Sequence, residues 1–350
     1  MPDGSSGAIT DASTRQCRKV TSAQNCCKTG RPGRIGAVCE IDSTMPAYAC
    51  PMSSLASRLM PAVMTLRRSK QVFTTADAMK RKLARQAAGR APNSRPPAWL
   101  SKTVDVRELT IAGWTVYEVS PKGATPSRRA LYLHGGCYVF EIAVQHWLFV
   151  ARLAVETNTR FLVPIYPLAP AETADTIVPK ATDLAAGLIE EVGADNTSVL
   201  GDSAGGGMAL AVAMQLRDRG VAAPHSTVLI SPWLDITGTD PQLAVIAPHD
   251  PWLAVPGSHF AGGVYRGPLS ETDPLVSPIY GDLSGLGSLT MFSGTRDILN
   301  ADATKFLALA RAAGLAIDYH EMPGMIHVFP ILPIPEAKTA RALVARSMAG

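Results

Sequence analysis

Three side chains far apart in the sequence could together break an acyl bond. Ser203 lies in Gly201-Asp202-Ser203-Ala204-Gly205, Asp297 in Ser293-Gly294-Thr295-Arg296-Asp297-Ile298-Leu299, and His327 in Pro323-Gly324-Met325-Ile326-His327. A serine hydroxyl attacks a carbonyl only when a base takes its proton and a carboxylate orients that base. The charge that develops on the carbonyl oxygen needs backbone N–H groups aimed at it. His134-Gly135-Gly136 could supply these, because adjacent glycines let the backbone approach a bound carbonyl closely. Each feature has a plainer reading. The glycine-flanked serine could be a loop, and Asp297 a surface carboxylate. Asp302 is expected to cap the following helix, and His327 could be a buried structural imidazole.

The surrounding elements favour the chemical reading. Val199-Leu200 ends an apolar strand, and a small-residue helix (Met208 to Leu216) follows the serine. G-x-S-x-G between a strand and a helix is a tight turn that holds the serine in a strained conformation, clear of the sheet. Val104–Ile111 and Trp114–Val119 alternate apolar and polar residues around Ala112-Gly113, which predicts a hairpin. Buried strands are expected at Ala130–Leu133, Phe161–Tyr166, His225–Ser231, Leu289–Ser293 and Ala316–Met322. Helices are expected at Val144–Glu156, Ala174–Val192, Asp302–Ala313 and Pro335–Met348. Alternating strands and helices imply a mostly parallel sheet covered on both faces. Between Asp235 and Pro268 the alternation stops and the stretch reads as an insertion above the sheet. Ser203, Asp297 and His327 then fall at successive strand ends, in the chain order of α/β-hydrolases.

Composition narrows the classes further. The chain has 350 residues, 47% hydrophobic and 18% charged, enough for a large core. Its net charge of +4 is uneven: residues 53–100 carry +9, residues 101–350 carry −7 and residues 1–52 carry +2. The acidic bulk has no nucleic-acid footprint. No stretch reads as a membrane span, and the opening residues lack the charged and apolar regions of a secretory leader, so a cytoplasmic location is expected. Five of the six cysteines lie in the first 50 residues, in odd number and without C-x-x-C spacing or a nearby histidine. Residues 1–52 therefore read as a disordered tail rather than a disulfide or zinc module, with Met45 or Met52 as an alternative start. Leu55, Leu59, Val63 and Leu66 recur at helical spacing, with Pro61 expected to break or restart the helix. Thr75 to Ala88 forms a second, basic helix. The pair either packs on the body with a solvated charged face or meets an anionic membrane.

The chain resembles the bacterial hormone-sensitive-lipase family of α/β-hydrolase carboxylesterases from about Ser53 to its end. The likeness is carried by His134-Gly135-Gly136-Cys137, Tyr166-Pro167-Leu168-Ala169-Pro170, Gly201-Asp202-Ser203-Ala204-Gly205-Gly206-Gly207, Ser231-Pro232-Trp233, Asp273-Pro274-Leu275-Val276-Ser277-Pro278, and the segments around Asp297 and His327. The resemblance implies an α/β-hydrolase fold: a mostly parallel central sheet with helices on both faces and a helical cap from residues 53–100 and 236–268. It implies Ser203 as nucleophile, His327 as base and acid, Asp297 as its partner, and the N–H groups of Gly135, Gly136 and Ala204 as the oxyanion hole. Tyr138, Trp233, Trp252 and Phe260 become candidates for lining the substrate pocket, though each is more often a residue of the packed core. Two departures stand out: Cys137 replaces a third glycine, and Tyr166-Pro167-Leu168-Ala169-Pro170-Ala171 lacks the family's usual Arg and Glu.

The expected reaction is hydrolysis of short- to medium-chain carboxylic esters through an acyl-enzyme, with no metal or organic cofactor. A lactone, or an acetyl group on nitrogen or oxygen of a natural product, could serve the same residues. A non-catalytic small-molecule receptor is the alternative from another class, though such a protein is free to lose the base that this chain keeps. The expected partner is a small-molecule ester. Weak membrane-surface contact through residues 53–90 and a homodimer are both compatible with the sequence.

Overall fold

The computed structural model describes residues 54–89 and 94–349, so the cysteine-bearing N-terminal stretch lies outside the described residues. The strands are β1 (Val104–Ile111), β2 (Trp114–Pro121), β3 (Arg128–Leu133), β4 (Thr159–Ile165), β5 (Thr197–Asp202), β6 (Ser226–Ile230), β7 (Leu289–Gly294) and β8 (Ile317–Met322). They form one sheet in the order β1-β2-β4-β3-β5-β6-β7-β8. The β1–β2 hairpin and the β2–β4 pair are antiparallel, and every later pair is parallel. This is the α/β-hydrolase fold.

The helices are α1 (Leu55–Leu66), α2 (Ala76–Ala88), α3 (Val144–Thr157), α4 (Ala174–Val192), α5 (Ala204–Asp218), α6 (Gln242–Ile246), α7 (Val255–Arg266), α8 (Asn300–Ala312) and α9 (Pro335–Ala349). They cover both faces, so alternate strand residues enter different cores. On β3, Leu131 and Leu133 join the core that contains α4 and α5 residues, while Ala130 and Tyr132 join the one containing α3 and α9 residues. α5 is buried almost all round, which explains its run of Gly, Ala, Met and Leu without a polar face.

Three expectations need correction. α1 continues through Pro61 without a break. α5 starts at Ala204, directly after the serine. Asp302 is not the cap of α8: Leu299 holds that position, and buried Asp302 accepts a hydrogen bond from Asp235 N at 3.2 Å. Between β6 and β7, where the alternation stops, the chain forms α6 and α7, and α7 packs against α2.

Candidate active site

The serine sits at the turn between β5 and α5. Its φ of 55° lies in a region that side chains rarely adopt. Close packing forces the turn: a Cβ on Gly201 would overlap the carbonyl oxygen of Gly205, and one on Gly205 would overlap that of Leu133. Ser203 N donates to Ile230 O at 2.8 Å, and Ser203 O accepts from Trp233 N at 2.9 Å and Gly207 N at 3.1 Å. These bonds fix the strained residue to the next strand and its loop.

His327 follows β8, and its ring Nε2 lies 2.9 Å from Ser203 Oγ. Its Nδ1 lies 2.8 Å from Asp297 Oδ2, and Asp297 is fully buried in the loop after β7. Three residues separated by 94 and 30 positions thus form one hydrogen-bonded chain. With its proton on Nδ1 facing the carboxylate, the imidazole presents Nε2 to accept the serine proton. Burial alone would lower the His327 pKa. The neighbouring Asp297 carboxylate, aided by Asp250 and Asp202, overcomes that and raises it above the usual histidine value. Val328 N donates to Ser231 Oγ at 3.0 Å and steadies the histidine loop.

The loop after β3 shows which backbone groups are free for an oxyanion. Gly135 N donates to Asp202 Oδ1 at 3.0 Å, so its N–H is already committed. That removes Gly135 from the expected hole. Gly136, Cys137 and Tyr138 follow with φ of 125°, 53° and 62°. Among the described residues, the N–H groups of Gly136, Cys137 and Ala204 have no hydrogen-bond acceptor. Gly136, Cys137 and Ser203 share a cavity of about 440 Å³. The Cys137 thiol is buried and its pKa is pushed up to about 12 by desolvation, which leaves it a poor nucleophile.

Asp202, the unread middle residue of the serine motif, organises this loop. Besides Gly135 N, its carboxylate accepts from Tyr132 OH at 2.6 Å and from His146 Nε2 at 3.2 Å. His146 Nδ1 accepts from Ala143 N at 2.8 Å, so its proton sits on Nε2 and points at Asp202. Burial works against the Asp202 charge, but His146, Tyr132 and Gly135 N hold its pKa below the usual carboxylate value. His134 stacks on Tyr166 with ring centroids 4.3 Å apart, and Tyr166 OH donates to His134 O at 2.6 Å. Burial pushes the His134 pKa down to about 4, so the ring is neutral and serves the loop's shape.

Asp250 is a second carboxylate that the sequence did not single out. Its Oδ1 accepts from Trp252 N at 2.7 Å and Leu253 N at 2.8 Å, and its Oδ2 accepts from Ile298 N at 2.9 Å. It therefore joins the segment between α6 and α7 to the loop that carries Asp297. Burial, then the charge of Asp297, raises its pKa to about 6. An Asp-Pro turn, Asp250-Pro251, was its only sequence signal.

Of the four aromatic pocket candidates, Trp252 lines the cavity, its ring edge-on to His327 at 5.7 Å between centroids. Tyr138 and Trp233 do not: they are buried against each other, and Tyr138 also stacks on Tyr265. Phe260 packs half-buried against the core, away from the cavity lining. The lining that sequence reasoning missed includes Met64, Phe73, Phe140 and Leu332.

Residues 130–331 match the alpha/beta hydrolase fold family. The chain belongs to that family. Over 244 residues it is 34% identical to a triacylglycerol lipase of Mycobacterium tuberculosis, covering 69% of this chain and 51% of the lipase. The chain thus matches only about half the length of that relative. It is 30% identical to an acetyl-hydrolase of Streptomyces hygroscopicus over 230 residues, covering 64% of this chain and 77% of that one. A crystal structure of an esterase from the bacterial hormone-sensitive lipase family is 27% identical, with a TM-score of 0.71, covering 85% of this chain and 99% of that one. The proteins it resembles are thus named as a lipase, an acetyl-hydrolase and an esterase of the bacterial hormone-sensitive lipase family.

Proposed function

We propose that this α/β-hydrolase is a serine esterase with Ser203 as nucleophile, His327 as base and acid, and Asp297 as the carboxylate that orients His327. The observation that carries this reading is the unbroken Asp297–His327–Ser203 chain at 2.8 and 2.9 Å. Ser203 Oγ attacks the ester carbonyl while His327 Nε2 takes its proton. The oxyanion is received by the N–H groups of Gly136, Cys137 and Ala204. Each such donor contributes about 3 kcal/mol to the transition state. His327 then gives its proton to the departing alcohol oxygen. Water, deprotonated by the same imidazole, attacks the acyl-serine and releases the acid.

Residues 53–100 and 236–268 are proposed to cap the site. The cavity lining supports this, because Met64 and Phe73 come from the first segment and Trp252 and Leu253 from the second. The acetyl-hydrolase relative supports a short acyl group, which includes acetyl esters. Ser203→Ala should abolish hydrolysis of p-nitrophenyl butyrate and labelling by a fluorophosphonate while leaving the circular dichroism spectrum unchanged. Labelling that persists in Ser203→Ala would place the nucleophile elsewhere. A wild-type protein that neither hydrolyses nor labels would be a receptor.

A further inference from the structure

The helix α1 is amphipathic, and it is mounted with its apolar side outward. Leu55, Leu59, Val63 and Leu66 are 72%, 53%, 40% and 85% exposed. At 3.6 residues per turn these four fall within an arc of about 80° on one side of the helix. The opposite side meets the body: Ser57 and Pro61 are buried, and half-buried Met60 and Met64 pack against the core that contains α3 and α9 residues. A polar anchor holds it in this orientation. Ser54 Oγ and Ser57 Oγ donate to the two carboxylate oxygens of Glu336 on α9 at 2.9 and 2.8 Å. Amphipathic helices of soluble proteins ordinarily turn the apolar stripe to the core, so the outward stripe needs an occupant.

Charge decides which occupant fits. Residues 54–89 contain eight Lys or Arg and one acidic residue, Asp77. Arg67, Arg68, Lys80, Arg81, Lys82 and Arg85 are exposed. Residues 1–53 also carry net positive charge, of the same sign as this face. Two copies meeting face to face would bring like charges together. An acidic surface is required, and one that accepts a convex row of aliphatic side chains without a matching groove. A bilayer with anionic headgroups meets both conditions. The position is also suited to the chemistry: Met64 and Arg67, at the end of α1, line the same cavity as Ser203, and so does Lys82 of α2.

We propose that α1 is an interfacial helix: Leu55, Leu59, Val63 and Leu66 enter the outer acyl layer of an anionic bilayer, the exposed Arg67, Arg68, Lys80, Arg81, Lys82 and Arg85 contact its headgroups, and the cavity opens beside the lipid surface. The use of this contact for catalysis rests on the proposed ester hydrolysis; the binding itself does not. The test therefore uses full-length Ser203→Ala, so that vesicle binding is read independently of the chemistry assigned to Ser203. It should sediment with vesicles of equimolar phosphatidylcholine and phosphatidylglycerol at low salt, and far less with phosphatidylcholine alone or at high salt. Adding Leu55→Gln, Leu59→Gln and Leu66→Gln should lower the bound-to-free ratio about tenfold or more. The same triple substitution in the enzyme with Ser203 intact should leave kcat/KM on soluble p-nitrophenyl acetate unchanged, since none of the three leucines lines the cavity. The proposal is overturned by failure to bind anionic vesicles, by binding indifferent to the leucines, or by equal, salt-insensitive binding to neutral vesicles. It is equally overturned if light scattering shows a dimer that the triple substitution converts to monomer, because a second copy then covers the face.

Discussion

Asp297 and Asp250 stand close to the same imidazole system with different jobs. Asp297 touches His327 directly, while the Asp250 carboxylate accepts, among the described residues, from the backbone N–H groups of Trp252, Leu253 and Ile298. Asp297→Asn keeps the shape but loses the charge that favours the imidazolium and the tautomer with its proton on Nδ1. A fall in kcat of about four orders of magnitude is expected, with little change in thermal melting. Asp250→Asn should act more mildly and chiefly through pH. The Asp250 charge helps raise the His327 pKa, and the proposed reaction needs neutral His327, so rate should fall as pH drops through that pKa. Removing the charge lowers the pKa, and the acid limb of the kcat/KM profile should shift to lower pH. The stability sign is separate. A carboxyl raised in the folded state to about 6 binds a proton more tightly folded than unfolded, so its contribution is present below about pH 4 and lost as pH rises through 6. Asp250→Asn should flatten that part of the stability curve, as read by denaturant melts at several pH values.

The strands and helices that carry these groups were largely legible, because a sheet covered on both faces needs near-continuous apolar strands. Tyr132-Leu133 and Leu200-Gly201 are such runs, and each ends at a site loop. The serine turn was legible for a similar reason: only glycine fits at positions 201 and 205. Gly201→Ala should therefore cost on the order of 3 kcal/mol or more and give little soluble enzyme, measured by expression and melting temperature. Hydrogen bonds between distant segments left no such mark. Nothing in the composition of Gly135 announced that its N–H would be occupied by Asp202, and nothing near Glu336 announced that it would hold α1. Glu336→Ala removes both carboxylate oxygens at that anchor. It should speed tryptic cleavage within α1 and raise KM for a soluble ester, since Met64 and Arg67 are part of the cavity wall, while kcat is largely kept.

Across the described residues, an acidic α/β body bears a basic helical segment whose apolar stripe faces outward and whose other residues line the cavity beside Ser203. Periodicity revealed the stripe Leu55, Leu59, Val63 and Leu66 but could not tell which way it faces, because one pattern serves a buried and an exposed side equally. Tyr138 and Trp233 posed the converse ambiguity and take the packed-core alternative, because large aromatics next to site motifs can pack beneath a site as readily as line it. The cavity itself sets the last expectation. Its volume of about 440 Å³ is bounded by Phe73, Phe140, Trp252 and Leu332, which suit an aliphatic acyl chain of limited length. Rates across p-nitrophenyl esters should rise from acetate to a medium chain and then fall. Trp252→Ala should move that optimum to longer chains, because the ring occupies cavity wall beside His327 without hydrogen-bonding to it. Each accommodated or excluded methylene is worth about 1–3 kcal/mol in transition-state binding, so the shift should be visible as a change of roughly tenfold or more in kcat/KM per step near the optimum. An unchanged profile in Trp252→Ala would mean that the acyl chain lies along another wall, with the alcohol side of the ester next to the indole.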